Sequence, residues 1–258
     1  MNVQEYNSAA WDRLAENEIE WSIPVSREEI EKARIGFWEV ILTPIKPVPR
    51  EWFGDVRGKD ILCLASGGGQ QAPILAAAGA NVTSFDNSAG QLEKDVFVAE
   101  RDNLHIAIEK GDAADLSRFA DASFDLIFNP CSNCFMADLA PVWRECFRVL
   151  RSGGSILTGF NNPIVYIFDV AAEENEGLLR VRHRLPYSDT ESLTEEEKAA
   201  RITKNDPFEF SHTLDAQIGG QITAGFMIAG FYEDYWTDEA RLLNKYAPTF
   251  ISTRAIKP

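Results

Sequence analysis

The stretch that most constrains this chain is ILCLASGGGQQAPILAAAGANVTSFD, from Ile61 to Asp86. Its apolar start, Ile61 to Leu64, shows no alternation and suits a parallel strand buried on both faces. Gly67, Gly68 and Gly69 permit a sharp turn and a close approach of backbone to ligand, because no Cβ stands in the way. Gln70 to Ala78 then reads as a helix stopped by Gly79, and Val82 to Phe85 as the next strand. Asp86 falls at that strand's carboxyl end, where a nucleotide-binding βαβ unit places an acid against both ribose hydroxyls. The chain is therefore expected to hold an adenosine-containing cofactor.

The alternation continues on both sides of this unit. Ser88 to Gln91 forms a capping box that opens a helix through about Arg101, and Leu104 to Ile108 reads as a short strand. A GDAADL turn (Gly111 to Leu116), a strand at Phe124 to Phe128, a helix over Asp138 to Leu150 ending at Gly153 and Gly154, and a strand at Ser155 to Phe160 follow. Strands alternating with helices predict an α/β fold with a parallel, doubly wound sheet. The first 45 or so residues read instead as a helical cap carrying Trp11, Trp21 and Trp38, with a capping box at Ser26 to Glu29 opening a helix to about Ile41. A proline-rich connector, TPIKPVPREW, joins the cap to the core that begins at Lys59.

Residues 161–211 break the rhythm with an aromatic PIVYIFD, acidic runs and a third capping box at Thr194 to Glu197. Since Asn161 leaves a strand's carboxyl end, this insertion is expected to form a lid or substrate wall rather than a plain solvated loop. A helix at about Leu214 to Gly225 and two strands, near Ile228 to Trp236 and Phe250 to Ile256, close the fold. All 258 residues thus read as one domain: a cap (1–45), a cofactor-binding core (59–160), an insertion (161–211), and a closing helix and strands (212–258).

Charge excludes several partners. Lys and Arg number 25 against 40 Asp and Glu, a net charge of -15, which disfavours nucleic acid and anionic membranes. No apolar run is long enough for a membrane span, and the polar start has no secretory apolar region. Four cysteines are too few for a disulfide scaffold, so the cytoplasm is the expected compartment. Cys131 and Cys134 form a CxxC, but a zinc site would need two more ligands, and Cys63 and Cys146 lie in a predicted strand and helix. No metal is expected. Oligomeric state is not legible.

The glycine turn alone admits two cofactors. Gly67, Gly69 and Ala72 match the GxGxxA of nicotinamide-dependent dehydrogenases, while Ala65, Gly67 and Gly69 sit where methyltransferases carry GxGxG. The later segments favour the second: the acidic strand end, the GDA turn, FDLIF at Phe124 to Phe128, and RVLRSGG at Arg148 to Gly154. In this order the chain resembles the class I S-adenosylmethionine-dependent methyltransferases. Its LTP (Leu42 to Pro44), LASGGGQQ (Leu64 to Gln71), NPCSN (Asn129 to Asn133) and HTLDAQIGGQ (His212 to Gln221) are similar to those of a bacterial, small-molecule group of that class.

The resemblance implies a Rossmann-like, mostly parallel seven-stranded sheet with an antiparallel last strand, S-adenosylmethionine as cofactor, and methyl transfer to a small molecule. It also implies that Ala65, Ser66, Gly67, Gly68 and Gly69 line the methionyl part. Asp86 and Asn87 then meet the ribose, Asp112 and Ala113 the adenine, and Asn129 and Pro130 the methyl end. Two positions depart from the pattern. Cys63 stands where an acid is usual, and Ala65 where the first glycine is usual, which is tolerable with a negative φ. NPCS faintly matches the NPPY of methyltransferases acting on DNA bases, but lacks the tyrosine and sits in an acidic chain.

Methyl transfer from a sulfonium needs alignment and a dry pocket more than acid–base groups. For a hydroxyl or an acidic carbon a base helps, and His212 is the candidate, with Glu209 second. Two alternatives stay open. One is an NAD(P)-dependent oxidoreductase, for which the chain shows no second half-site. The other is a non-catalytic S-adenosylmethionine-binding protein, favoured by Cys63 and the lack of an evident base.

Overall fold

The computed structural model describes residues 2–237 and 241–258. Seven strands form one sheet: β1 (Asp60–Leu64), β2 (Asn81–Asp86), β3 (Ile106–Lys110), β4 (Phe124–Asn129), β5 (Leu150–Asn161), β6 (Met227–Asp234) and β7 (Phe250–Ile256), in spatial order β3-β2-β1-β4-β5-β7-β6. Neighbours from β3 through β5 run parallel, while β7 is antiparallel to both β5 and β6. This is the Rossmann-like methyltransferase sheet that the resemblance implied.

The strand order reverses between β1 and β4, so the two chains leaving those strands diverge and open a crevice at their carboxyl ends. Helices cover both faces of the sheet, which explains why Ile61, Leu62, Cys63 and Leu64 are all fully buried. On one face α2 (Arg27–Arg34) and α3 (Gln71–Ala77) pack with Phe53, Cys63 and Phe128. On the other, α5 (Ala140–Val149) buries Trp143 and Cys146 against Leu62, Ile127 and Ile156.

The cap and the insertion are tied to the crevice by specific polar contacts. In α1 (Val3–Glu16), Asp12 Oδ1 accepts from Ser88 Oγ (2.6 Å) and from the Gly90 N–H (2.9 Å), at the start of α4 (Ala89–Asp102). The Gly90 amide, in the first turn, has no partner within its own helix, so a carboxylate from α1 supplies one. Asn7, also in α1, exchanges two hydrogen bonds with the backbone of Phe208, at 2.9 and 2.8 Å. The insertion carries α6 (Val170–Glu176), α7 (Asp189–Ser192) and α8 (Glu195–Lys204). The LTP segment lies against β5: the Leu42 carbonyl accepts the Cys131 N–H (3.0 Å), and a Cβ on Gly159 would overlap that carbonyl.

Several boundaries differ from expectation. The helix α2 stops at Arg34, not near Ile41, because Gly36 (φ +92°) turns the chain towards the proline connector. The strand β3 begins two residues later than predicted, since Asn103 (φ +52°) caps α4 in the left-handed region. Gly153 and Gly154 do not end a helix. The strand β5 starts at Leu150, and the register slips from Phe124↔Leu150 to Leu126↔Ser155, so the glycines lie in a bulge. The closing helix begins with a π-helical turn, Asp215–Gly219, before α9 (Gly220–Ala224).

Candidate active site

A cavity of about 800 Å³ occupies the crevice, within the size range of small-ligand sites. One part is built by the β1–α3 turn and the tips of β2 and β3. Ala65, Ser66, Gly67, Asp86, Asn87, Asp112, Ala113 and Pro130 all line it. Asp86 Oδ2 accepts the Gly67 N–H at 3.0 Å and Oδ1 accepts the Ser88 N–H at 2.8 Å. Each oxygen keeps a lone pair for a further donor. Burial raises the Asp86 pKa above its ordinary value, opposed by the amides of Ser88, Gly67 and Asn87.

The fit of this part to S-adenosylmethionine can be tested on its polar atoms. Ser66, a residue of the cavity wall, has its Oγ buried without a hydrogen-bond partner. Orphaned buried polar atoms are rare, and beside a cavity they point to a polar ligand. A Cβ on Gly67 would stand 2.8 Å from Gln91 Cβ and 3.3 Å from Asp86 Oδ2, so a side chain there would fill the cradle. The free lone pairs of Asp86, the Ser66 hydroxyl and the acidic turn at Asp112 suit a ribose, an amino-acid moiety and a base edge.

Other predicted residues take different roles. Gly68 and Gly69 are outside the lining: Gly68 lies against the Trp21 carbonyl, and the Gly69 N–H donates to Asp95 Oδ1 at 2.8 Å. They shape the turn from behind. Asn129 is also behind the wall. Its Nδ2 donates to the Leu64 carbonyl (3.1 Å) and its Oδ1 accepts from Thr158 Oγ1 (2.8 Å), locking β1, β4 and β5 together. Ala65 has φ +47°, not the negative value that would make the glycine replacement harmless. Cys63 is wholly buried in the core, where desolvation pushes its thiol pKa well up.

His212 corrects a further expectation. Its Nε2 lies 2.8 Å from the Met136 carbonyl and 3.2 Å from that of Asn133, it is 9% exposed, and it is not in the cavity wall. Facing two carbonyls, Nε2 carries the hydrogen, and burial lowers the ring's pKa from its ordinary value. The ring staples the 133–136 loop and lies outside the cavity wall.

The rest of the cavity holds Glu209, the second candidate base, among residues that sequence patterns did not assign to the site, Tyr166, Asn161, Arg201, Tyr187 and Asp189. Tyr166 donates its phenolic hydrogen to Glu209 Oε2 at 2.8 Å and accepts from Asn161 Nδ2 at 2.7 Å. The Cys131 thiol donates to Asn161 Oδ1 at 3.2 Å. Arg201 reaches Glu209 Oε1 and Asp189 Oδ2, both at 2.9 Å, and Tyr187 donates to Asp189 Oδ1 at 2.6 Å. Burial raises the pKa of Glu209, and Arg201 opposes that shift. Around this chain stand aromatic walls: Trp11 edge-on to Phe135, Trp21 edge-on to Trp236, and Trp236 stacked on Phe250.

Of the cap aromatics, only Trp11 and Trp21 reach the cavity. Tyr6 binds the Asp206 carbonyl, Trp38 packs on Phe53, and Phe37 is exposed. Cys131 and Cys134 are both free thiols on the cavity wall, and no metal-binding cluster occurs among the described residues.

A doubly wound sheet with the β7 inversion, and a crevice bearing a glycine turn, a ribose-facing acid and an acidic turn, define a class I methyltransferase. The comparisons agree. The model of the methyltransferase domain family matches residues 62–158. An uncharacterized methyltransferase, YbaJ, of Bacillus subtilis is 46% identical over 252 residues, covering 98% of this chain and 97% of that protein. The sterol 24-C-methyltransferase erg6 of Aspergillus fumigatus is 28% identical over 63% of this chain and 43% of its own length. An S-adenosylmethionine-dependent methyltransferase structure from Mesorhizobium loti matches 80% of this chain and 94% of its own, with a TM-score of 0.62 at 22% identity. The chain belongs to the S-adenosylmethionine-dependent methyltransferase family.

Proposed function

We propose that this methyltransferase acts on a small molecule, held in the same cavity as the cofactor and beneath the cap and insertion. One observation carries this reading. The cavity runs without interruption from the glycine turn and Asp86 to the enclosed chain of Tyr166, Glu209 and Arg201, between aromatic walls. Such a space suits an organic molecule with apolar surface and a polar handle. A net charge of -15 disfavours a nucleic-acid or anionic-membrane acceptor. Among the described residues no helix is long and apolar enough to cross a membrane. Four free cysteines suit a reducing compartment, which supports the cytoplasm as its location.

When bound, S-adenosylmethionine supplies a methyl group already activated on a sulfonium. The protein's part is to align and to exclude water. Asp86 would hold the ribose hydroxyls, the Ser66 hydroxyl and the Gly67 backbone the methionyl part, and the Asp112–Ala113 turn the adenine. Trp11, Trp21 and Trp236, on the cavity wall, would keep bulk water from the reacting end.

Titration calorimetry with S-adenosylmethionine, S-adenosylhomocysteine and NADH, side by side, tests the cofactor half. Micromolar binding of both sulfur ligands and none of NADH is expected. Binding of NADH alone would instead make Gly67, Gly69 and Ala72 a dehydrogenase fingerprint. Tight sulfur-ligand binding with no label transferred to any extract would leave a non-catalytic binding protein.

A further inference from the structure

We infer that the acceptor is a hydroxyl compound, and that Tyr166 takes its proton while passing its own to Glu209. This rests on the small-molecule reading above and names the atom that is methylated.

Hydrogen-bond direction fixes where the protons of this chain sit. Ionised Glu209 can only accept, so the 2.8 Å contact fixes the Tyr166 hydrogen on the Glu209 side. Asn161 is fixed in turn. Its Nδ2 donates to the Tyr166 oxygen at 2.7 Å, while its Oδ1 accepts from the Cys131 thiol at 3.2 Å. The phenolic oxygen has two lone pairs, and Asn161 uses one. The other makes no well-formed hydrogen bond: the Cys134 thiol lies beside it as a weak donor, and since Tyr166 and Cys134 are both wall residues of the cavity, a ligand donor can take that lone pair. What this oxygen can receive there is a donor hydrogen, such as that of an acceptor hydroxyl.

Charge supports the same direction. The cluster holds one cation, Arg201, between two carboxylates, Glu209 and Asp189. Its formal charge is therefore -1, in a partly buried site where an uncompensated charge is costly. A proton delivered to Glu209 leaves Arg201 paired with Asp189 and the cluster neutral. Burial already raises the Glu209 pKa, which brings the carboxylate closer to a useful base.

The step balances. The acceptor O–H bond breaks and its proton moves to the Tyr166 oxygen, as the Tyr166 proton moves to Glu209. The freed electron pair on the acceptor oxygen forms the bond to the methyl carbon. The pair of the broken S–C bond stays on sulfur, giving the neutral thioether. The sulfonium and the Glu209 carboxylate lose their charges together, which a dry site favours over charge separation. Tyr166 is thus a catalytic residue and Glu209 a positioning residue that acts through it.

The test uses the full chain, S-adenosylmethionine carrying a labelled methyl, and the small-molecule fraction of a Bacillus subtilis extract. Label in a methoxy group is expected. Tyr166→Phe should slow labelling by about 10²- to 10⁴-fold, the scale of general-base catalysis, with S-adenosylhomocysteine affinity within about twofold of wild type. Glu209→Gln should do the same and abolish the acid limb of the pH profile.

A readout free of turnover separates this from a structural role. The infrared carbonyl band that Glu209→Gln removes should titrate above the usual carboxylate range, and Tyr166→Phe should move that midpoint higher still. The donated hydrogen bond that holds it down would be gone. The groups facing Glu209 in that titration are Arg201, Asp189, Tyr166, Tyr187 and the Cys134 thiol. Label on nitrogen, sulfur or carbon, or a Tyr166→Phe rate near wild type, overturns the hydroxyl assignment alone. Binding of the sulfur ligands with no label transferred sinks the small-molecule reading and this one with it.

Discussion

The carboxylate of Asp86 and the backbone N–H of Gly67 are hydrogen-bonded at 3.0 Å, so the acid at the tip of β2 and the turn after β1 are one unit. The acid meant for the ribose also holds the turn that approaches the methionyl part. Asp86→Ala should therefore act twice. S-adenosylhomocysteine binding should weaken by on the order of 1.5–3 kcal/mol, the scale of a hydrogen bond to a charged group. The melting temperature should fall as well, because the Gly67 and Ser88 amides lose their acceptor. Asp86→Asn, which keeps one acceptor oxygen, should sit between. Calorimetry and a thermal melt separate the two effects, and unchanged affinity would remove Asp86 from the site.

Ala65 gives a substitution expected to improve the protein. Its φ of +47° lies in the left-handed region, where a Cβ costs roughly 1–2 kcal/mol. Glycine removes that strain but adds unfolded-state entropy worth about 0.5–1 kcal/mol. Ala65→Gly should thus stabilise by roughly 0–1.5 kcal/mol and leave cofactor affinity unchanged or better. A lower melting temperature would mean that the Ala65 methyl makes packing contacts worth more than its strain.

The sheet and half of the cavity were legible because their signals are local. The run Ile61 to Asp86 carries strand, turn, helix, strand and acid within one contiguous stretch, and hydrophobic burial enforces its register. Of the inner half only Glu209 was picked out, without its partners, because its contacts span distance in the chain. Tyr166 meets Glu209 across 43 residues, and no periodicity in the insertion announces that meeting. Asn161 had a readable clue, being the polar residue at a strand's carboxyl end. His212 and Asn129 misled for one shared reason. A polar residue beside the crevice can face the ligand or brace the wall behind it, and residue type alone does not say which.

Asp95 predicts a pH dependence of stability. It is fully buried, accepting from the Gly69 N–H at 2.8 Å and from Ser84 Oγ at 2.6 Å. Desolvation, the largest cause, pushes its pKa up to about 7 from an ordinary 3.8. Below the ordinary value both folded and unfolded chains hold this proton. Between 3.8 and about 7 the unfolded chain releases it first, so Asp95 makes the fold progressively less stable as pH rises through that window. Above it both are ionised and the penalty is constant, on the order of a few kcal/mol at about 1.4 per unit. Asp95→Asn can keep both contacts, with Oδ1 facing Gly69 and the amide donating to Ser84. Denaturant midpoints from pH 4 to 8 should decline more steeply for wild type than for the variant. Parallel curves would show that Asp95 does not titrate in this range.

His212 separates a staple from a base. Removing its ring takes away the donor to the Met136 carbonyl and leaves a cavity beside the 133–136 loop. His212→Ala should cost about 1–3 kcal/mol, the scale of stranding a buried polar group. In a chain of this size that lowers the melting temperature by roughly 2–4 °C for each kcal/mol. Turnover at a temperature where the variant is folded should stay within about tenfold of wild type, since a loop that lines the cavity loosens but no proton route is cut. The acid limb of the pH–rate profile should be unmoved, because Glu209 and not His212 sets it. A loss of about 10²- to 10⁴-fold, with the folded fraction intact and that limb gone, would return the base to His212 and unseat Tyr166.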